Sequence, residues 1–92
     1  MRVVYTDEAL ENLDEILSYI ASNYPTVYAA FQNRLQSAVK RVSEWPDSAQ
    51  EVAERPGVRV VPLIRYPYKV FYRNTGRAIE ILYIHHAARD TS

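Results

Sequence analysis

The sequence predicts a single α+β domain over residues 1–92, with an N-terminal strand, an antiparallel helical hairpin and a three-stranded antiparallel meander. Apolar residues recur at helical spacing through the first half of the chain, and from Val58 onward their period changes to two. A chain of 92 residues leaves room for one domain. Because the helices and the strands must cover each other's apolar surfaces, we expect both helices to pack on one face of the sheet.

The first half of the chain begins with a short strand and continues into the two helices. Residues 2–5 are β-branched and aromatic, as in a strand. Thr6 then fits the N-cap of a helix over residues 7–22, whose first turn carries the acids that the helix dipole favours. A second helix is predicted over residues 27–44, ending before Trp45-Pro46 because a residue that precedes proline disfavours the α region.

The second half of the chain is predicted to form the meander. A polar loop over residues 45–57 leads into strands over residues 58–63, 68–73 and 78–84. The last two strands are joined by a tight turn at residues 74–76, where a glycine can take a positive φ. The last strand is the most apolar, so we expect it inside the sheet, with the helices covering at least one of its faces.

The charge is zero overall but is unevenly distributed. Residues 1–57 carry five basic and nine acidic side chains, a net −4, whereas residues 58–92 carry six basic and two acidic ones, a net +4. This asymmetry favours an acidic or polyanionic partner for the basic half. The alternative is that the arginines serve only solubility.

Composition also restricts the compartment and the cofactors. Without cysteine, the chain can form no disulfide and no thiolate metal site. Charged residues begin at Arg2, too early for the apolar run of a signal peptide, and no stretch approaches the roughly 20 apolar residues of a membrane span. We therefore expect a cytoplasmic protein that does not contact a membrane.

Few residues fit a catalytic signature, and no cofactor or metal is expected. Gly57 and Gly76 stand too far apart for a glycine-rich phosphate loop. His85 and His86 are adjacent at the end of the last strand, where neighbours face opposite ways, so they cannot chelate one metal. One of them, near Arg89, would suit a general acid or base. The alternative is a strand-end histidine that bonds to the backbone.

Five basic residues are candidates for partner binding because the strands can place them on one surface. Lys69 and Arg73 share one face of their strand, Arg59 can also point outward, and Arg77 and Arg89 flank the last strand. If these cations converge, they could clamp phosphates beside base-stacking tyrosines, or hold an acidic peptide. The alternative is a set of unrelated surface charges.

Three segments of the chain resemble the RelE/ParE toxins, also called plasmid stabilization proteins. They are Arg59–Leu63, the Pro-Tyr-Lys-Val-Phe-Tyr-Arg run at residues 67–73, and the apolar strand that ends in His86-Ala87-Ala88-Arg89-Asp90. With the helical hairpin, the resemblance covers roughly residues 2–90. It implies an antiparallel sheet and toxicity to the producing cell. It also implies an antitoxin whose C-terminal segment wraps around the toxin, and whose other end binds operator DNA.

The resemblance leaves two activities and one non-toxic role open. RelE-like toxins cleave mRNA on the ribosome without a metal, and ParE-like toxins inhibit DNA gyrase. Lys69, where the nucleases commonly carry arginine, and a C-terminus that continues through residues 87–92 both favour the gyrase branch. A family member acting only as co-repressor with its antitoxin is the third possibility. If the chain is a nuclease, the candidate catalytic residues are Arg59, Arg65, Lys69, His85, His86 and Arg89.

Overall fold

Within residues 1–90, two α-helices cover one face of a five-stranded sheet. The computed structural model describes the backbone of these residues and the side chains of residues 1–88. The elements in chain order are β1 (Arg2–Tyr5), α1 (Asp7–Asn23), a 3-10 turn (Pro25–Val27), α2 (Tyr28–Glu44), β2 (Gln50–Glu51), β3 (Arg59–Pro62), β4 (Tyr68–Asn74), β5 (Ala78–His86) and a second 3-10 turn (Ala87–Asp90). The predicted fold class is confirmed.

The strand order is β1-β5-β4-β3-β2, and the sheet is mixed. Strands β3, β4 and β5 form the predicted antiparallel meander, whereas β1 lies parallel to β5, with Arg2 opposite Ala78. The prediction that residues 45–57 are only a loop is wrong. Gln50 and Glu51 pair with β3 as a two-residue edge strand, too short to leave a periodic signal in the sequence.

The start of α1 is tied both to its own first turn and to β5. The Thr6 hydroxyl accepts a hydrogen bond from the Ala9 amide at 3.0 Å, which confirms the predicted N-cap. The same hydroxyl donates to the Leu82 carbonyl at 2.6 Å. Further along α1, the Asn12 side-chain oxygen accepts from the Ile84 amide at 2.9 Å. Because β1 ends at Tyr5, these two side chains satisfy the edge of β5 that β1 leaves uncovered.

Replacing Thr6 with alanine is expected to lower the free energy of unfolding by about 1–2 kcal/mol, because the helix loses its cap and the Leu82 carbonyl loses a donor. Urea unfolding followed by circular dichroism measures the change. Thr6→Ser keeps the hydroxyl and should stay close to the wild type. Equal losses in the two variants would show that the hydroxyl contributes nothing.

Apolar clusters lie on both faces of the sheet. The main core lies between the helices and the sheet, and its largest fully buried side chains are Phe31, Val42, Val70, Tyr72, Ile79 and Ile81. A smaller cluster of Val58, Phe71 and Tyr83 lies on the opposite face, called the outer face here, with Val52, Val60 and Leu82 packed against it. A register shift between Phe71 and Tyr72 leaves Leu82 as an extra residue on β5.

Candidate functional site

The predicted cationic surface is divided between the two faces of the sheet. Val58 and Val60 pack in the outer cluster, whereas Val61 packs in the main core. Because side chains alternate along a strand, Arg59 lies on the same face as Val61, which the helices cover. The expectation that Arg59 shares the outer face with Lys69 is therefore wrong.

Arg59 is engaged by the chain that follows α2. Its guanidinium lies 3.6 Å from the Asp47 carboxylate and donates to the Ala49 carbonyl at 2.6 Å. These contacts hold the segment before β2 against the sheet. Arg59 therefore has a structural role, with its charge partly neutralised.

Lys69 and Arg73 share the outer face, as predicted, because they alternate with the core residues of β4. Arg73 is paired with Glu80 on the neighbouring strand, at 2.8 Å from guanidinium nitrogen to carboxylate oxygen. Lys69 lies opposite His85 in the register of β4 and β5. Lys69 and His85 are thus the pair of catalytic candidates that the described strands bring together.

Two of the other predicted cations, Arg65 and Arg77, lie in turns. Arg65 is at the tip of the β3–β4 turn, where its φ of 75° is in the left-handed region. Arg77 is in the β4–β5 turn, eight residues from His85 along the chain, which corresponds to roughly 25 Å of strand. The side chain of Arg89 lies outside the described residues.

A ladder of aromatic rings crosses the outer face beside Lys69. The centroids of Phe71 and Tyr83 are 4.7 Å apart, and those of Tyr83 and His85 are 4.4 Å apart in a stacked arrangement. Arg55, from the loop before β3, hydrogen-bonds to the Tyr83 hydroxyl and lies 5.1 Å from the centre of its ring. Sequence reasoning missed Arg55, because nothing in a polar loop signals which strand it will cover.

A cleft of about 530 Å³ lies beside these rings, with Arg55 and Lys69 in its lining. Glu51 and Glu54 also line it, so its charge is mixed. Two cations next to stacked rings suit a phosphate and a base. The two carboxylates oppose the binding of a polyanion.

A larger groove of about 760 Å³ lies between α1, the first 3-10 turn and the ends of β4 and β5. We call it the tyrosine groove, after the residues that shape it: Glu15, Tyr19, Tyr24, Tyr66, Tyr68 and His86. His86 meets the Tyr68 ring edge-on at 5.4 Å, and its Nδ1 accepts from the Ala88 amide at 3.1 Å.

The two histidines have different surroundings, as the strand alternation predicts. His85 stacks on Tyr83 of the outer face, and its Nε2 lies 3.7 Å from the Glu8 carboxylate. His86 contacts the Tyr68 ring in the tyrosine groove, whose edge His85 also lines. In the part of the chain that the structure describes, no three His, Asp or Glu side chains are grouped to hold a metal ion. No described helix is long and apolar enough to cross a membrane.

Three comparisons with known proteins agree. The sequence model of the family described as "ParE toxin of type II toxin-antitoxin system, parDE" matches residues 3–91. The Sinorhizobium fredii protein named "Putative toxin Y4kP" is 37% identical over 90 residues, which cover 94% of this chain and 88% of that protein. A solved structure titled "Chromosomal ParDE TA system from P. aeruginosa" superimposes with a TM-score of 0.78 at 27% identity, covering 94% of this chain and 95% of that one.

These matches extend over nearly the whole chain, including both helices and every strand that forms the two candidate sites. They agree with the resemblance that the C-terminal strands indicate, and they favour its ParE-like branch. The chain belongs to the ParE toxin family of type II toxin–antitoxin systems.

Proposed function

We propose that this toxin inhibits DNA gyrase and is neutralised by an antitoxin encoded with it, which alone contacts operator DNA. The observation that carries the choice of gyrase is the dispersal of Arg59, Arg73 and Arg77, candidate cations whose side chains the structure describes. Metal-independent RNA cleavage needs a general base and several cations around one phosphate. Here Arg59 is on the helix-covered face, Arg73 is paired with Glu80, and Arg77 is in the far turn.

The alternative is RNA cleavage on the ribosome, and one observation favours it. Lys69 lies opposite His85, and Arg55 adds a second cation above Tyr83. These four residues would supply a base, two phosphate contacts and a ring for stacking. His85 lies opposite Lys69 and stacks on Tyr83, so it is the histidine that this alternative would use.

Induced expression in a bacterium without the antitoxin distinguishes the targets. We expect thymidine incorporation to fall before amino-acid incorporation, because gyrase inhibition stops replication while translation continues. Purified toxin should likewise abolish supercoiling by purified gyrase. Earlier loss of amino-acid incorporation would favour the ribonuclease, and no arrest of either would favour the co-repressor role.

A double variant, Lys69→Ala with His85→Ala, serves as the control. Gyrase inhibition should be largely retained, whereas RNA cleavage through this pair should fall by roughly 100-fold or more. Circular dichroism must first show that the variant is folded, because His85 contacts both Tyr83 and Glu8.

A further inference from the structure

One stripe of α1 runs beside the end of β5 and continues into the tyrosine groove. Glu8, Asn12, Glu15 and Tyr19 are spaced by four, three and four residues, so they share one side of the helix. Glu8 faces His85, and Asn12 accepts from the backbone of β5. Asn12, Glu15 and Tyr19 line the groove. Glu15 is exposed at the groove, and no other side chain within residues 1–88 forms an ion pair with it.

The walls of the groove present aromatic rings to this carboxylate. Tyr19 and Tyr24, 52% and 55% exposed, form one wall with their ring centres 6.1 Å apart. Tyr66 and Tyr68 form the other wall. The buried ring of Phe31 holds both of them by edge contacts, at centroid distances of 5.2 and 5.7 Å. The groove is thus preformed on the Phe31 side and open to solvent on the other.

We propose that the tyrosine groove binds an arginine side chain of a partner protein. The negative faces of aromatic rings attract cations, and a planar guanidinium can stack on a tyrosine while it pairs with a carboxylate. The aliphatic stem of arginine would pack on Ile16, Ile20 and Ile84, which also line the groove. None of the described lining residues is a lysine or arginine that could already fill this place.

The partner is the antitoxin, an assignment that rests on the proposed function. The charge of α1 supports a basic segment at this surface, because the helix carries Asp7, Glu8, Glu11, Asp14 and Glu15 and has no basic residue. The acidic segment expected from the charge asymmetry would lie on the basic C-terminal half.

Titration of the purified, isotope-labelled chain with N-acetyl-L-argininamide tests the site itself. We expect millimolar binding, with NMR shifts at Glu15 and the four groove tyrosines. N-acetyl-L-citrullinamide, which has the same shape without the charge, should bind clearly more weakly. Glu15→Gln should weaken arginine binding by about fivefold or more, and Glu11→Gln, a change on the same helix outside the groove lining, should not. Equal binding of the two compounds, or no effect of Glu15→Gln, would overturn the proposal.

Neutralisation in cells tests the partner. A toxin with Glu15→Lys should need about tenfold or more antitoxin for neutralisation, because the new cation repels the arginine. The Glu11→Lys toxin should be neutralised like the wild type. Normal neutralisation of the Glu15→Lys toxin would overturn the antitoxin assignment even if the arginine compound binds. If the wild type itself is not toxic, the proposed function fails, and the titration alone decides the arginine site.

Discussion

Replacing Phe31 with alanine is expected to remove about 3–5 kcal/mol from the free energy of unfolding. Phe31 on α2 is 0% exposed, and its ring meets both Tyr66 and Tyr68 edge-on. Its removal leaves a large cavity and also forfeits these two ring contacts. For a domain of this size the loss is a large share of the total stability, which is roughly 0.05–0.15 kcal/mol per residue.

Urea unfolding followed by tyrosine fluorescence and circular dichroism measures the loss. Phe31→Leu is the matched control, and it should cost clearly less because leucine leaves a smaller cavity. The alanine variant should also bind N-acetyl-L-argininamide less well even where it remains folded, because Tyr66 and Tyr68 lose their support. A loss of stability below about 1 kcal/mol would be typical of a surface residue and would contradict the burial of Phe31.

The sequence predicted best those elements that depend on residues close together in the chain. The N-cap at Thr6 and the change of period at Val58 depend on neighbouring residues, and both agree with the structure. The pairing of β1 with β5 joins residues more than seventy positions apart. Nothing in the four residues of β1 selects its partner strand or the parallel direction. The two-residue strand β2 is likewise defined by its neighbour β3 rather than by its own residues.

The face of Arg59 could not be predicted because both faces of β3 carry valines. Val58 and Val60 on one side and Val61 on the other have the same chemical character. A period of two shows that neighbours alternate but does not show which side the helices will cover. The loop before β3 contacts the outer face through Val52 and Arg55, and its polar sequence does not predict these contacts.

The tyrosine groove could not be predicted from the sequence, for a related reason. Its residues come from α1, the first 3-10 turn and its N-cap, the β3–β4 turn, the start of β4 and the end of β5. In sequence, Tyr19 lies in an amphipathic helix, Tyr24 follows its end and Tyr68 begins a strand, so each looks like an ordinary packing residue. The histidine pair was different, because strand alternation alone requires His85 and His86 to face opposite ways.

Replacing Tyr72 with phenylalanine is expected to cost about 1–2 kcal/mol at neutral pH. Tyr72 is 0% exposed, and its hydroxyl donates to the Pro46 carbonyl at 2.7 Å. With Arg59, this bond anchors the chain between α2 and β2. Phenylalanine keeps the packing of the ring. The loss of stability therefore measures the contribution of the hydroxyl, including the cost of leaving the Pro46 carbonyl without this donor. Tyr24→Phe, at an exposed ring, is the control and should change stability little.

The dependence of this difference on pH gives a second test of the same bond. Burial raises the pKa of Tyr72 above its ordinary value of 10.0, so the folded state favours the neutral phenol. The stability that the neutral Tyr72 phenol contributes to the folded state is fully present below pH 10.0. It is lost as the pH rises through the raised pKa of the folded state. Phenylalanine does not titrate, so the stability difference between wild type and Tyr72→Phe should shrink in this alkaline range. Burial also raises the pKa of Tyr5, but Tyr5 is present in both proteins and its effect cancels. A difference that stays constant above pH 10.0 would show that Tyr72 titrates alike in the folded and unfolded chains, contrary to its burial.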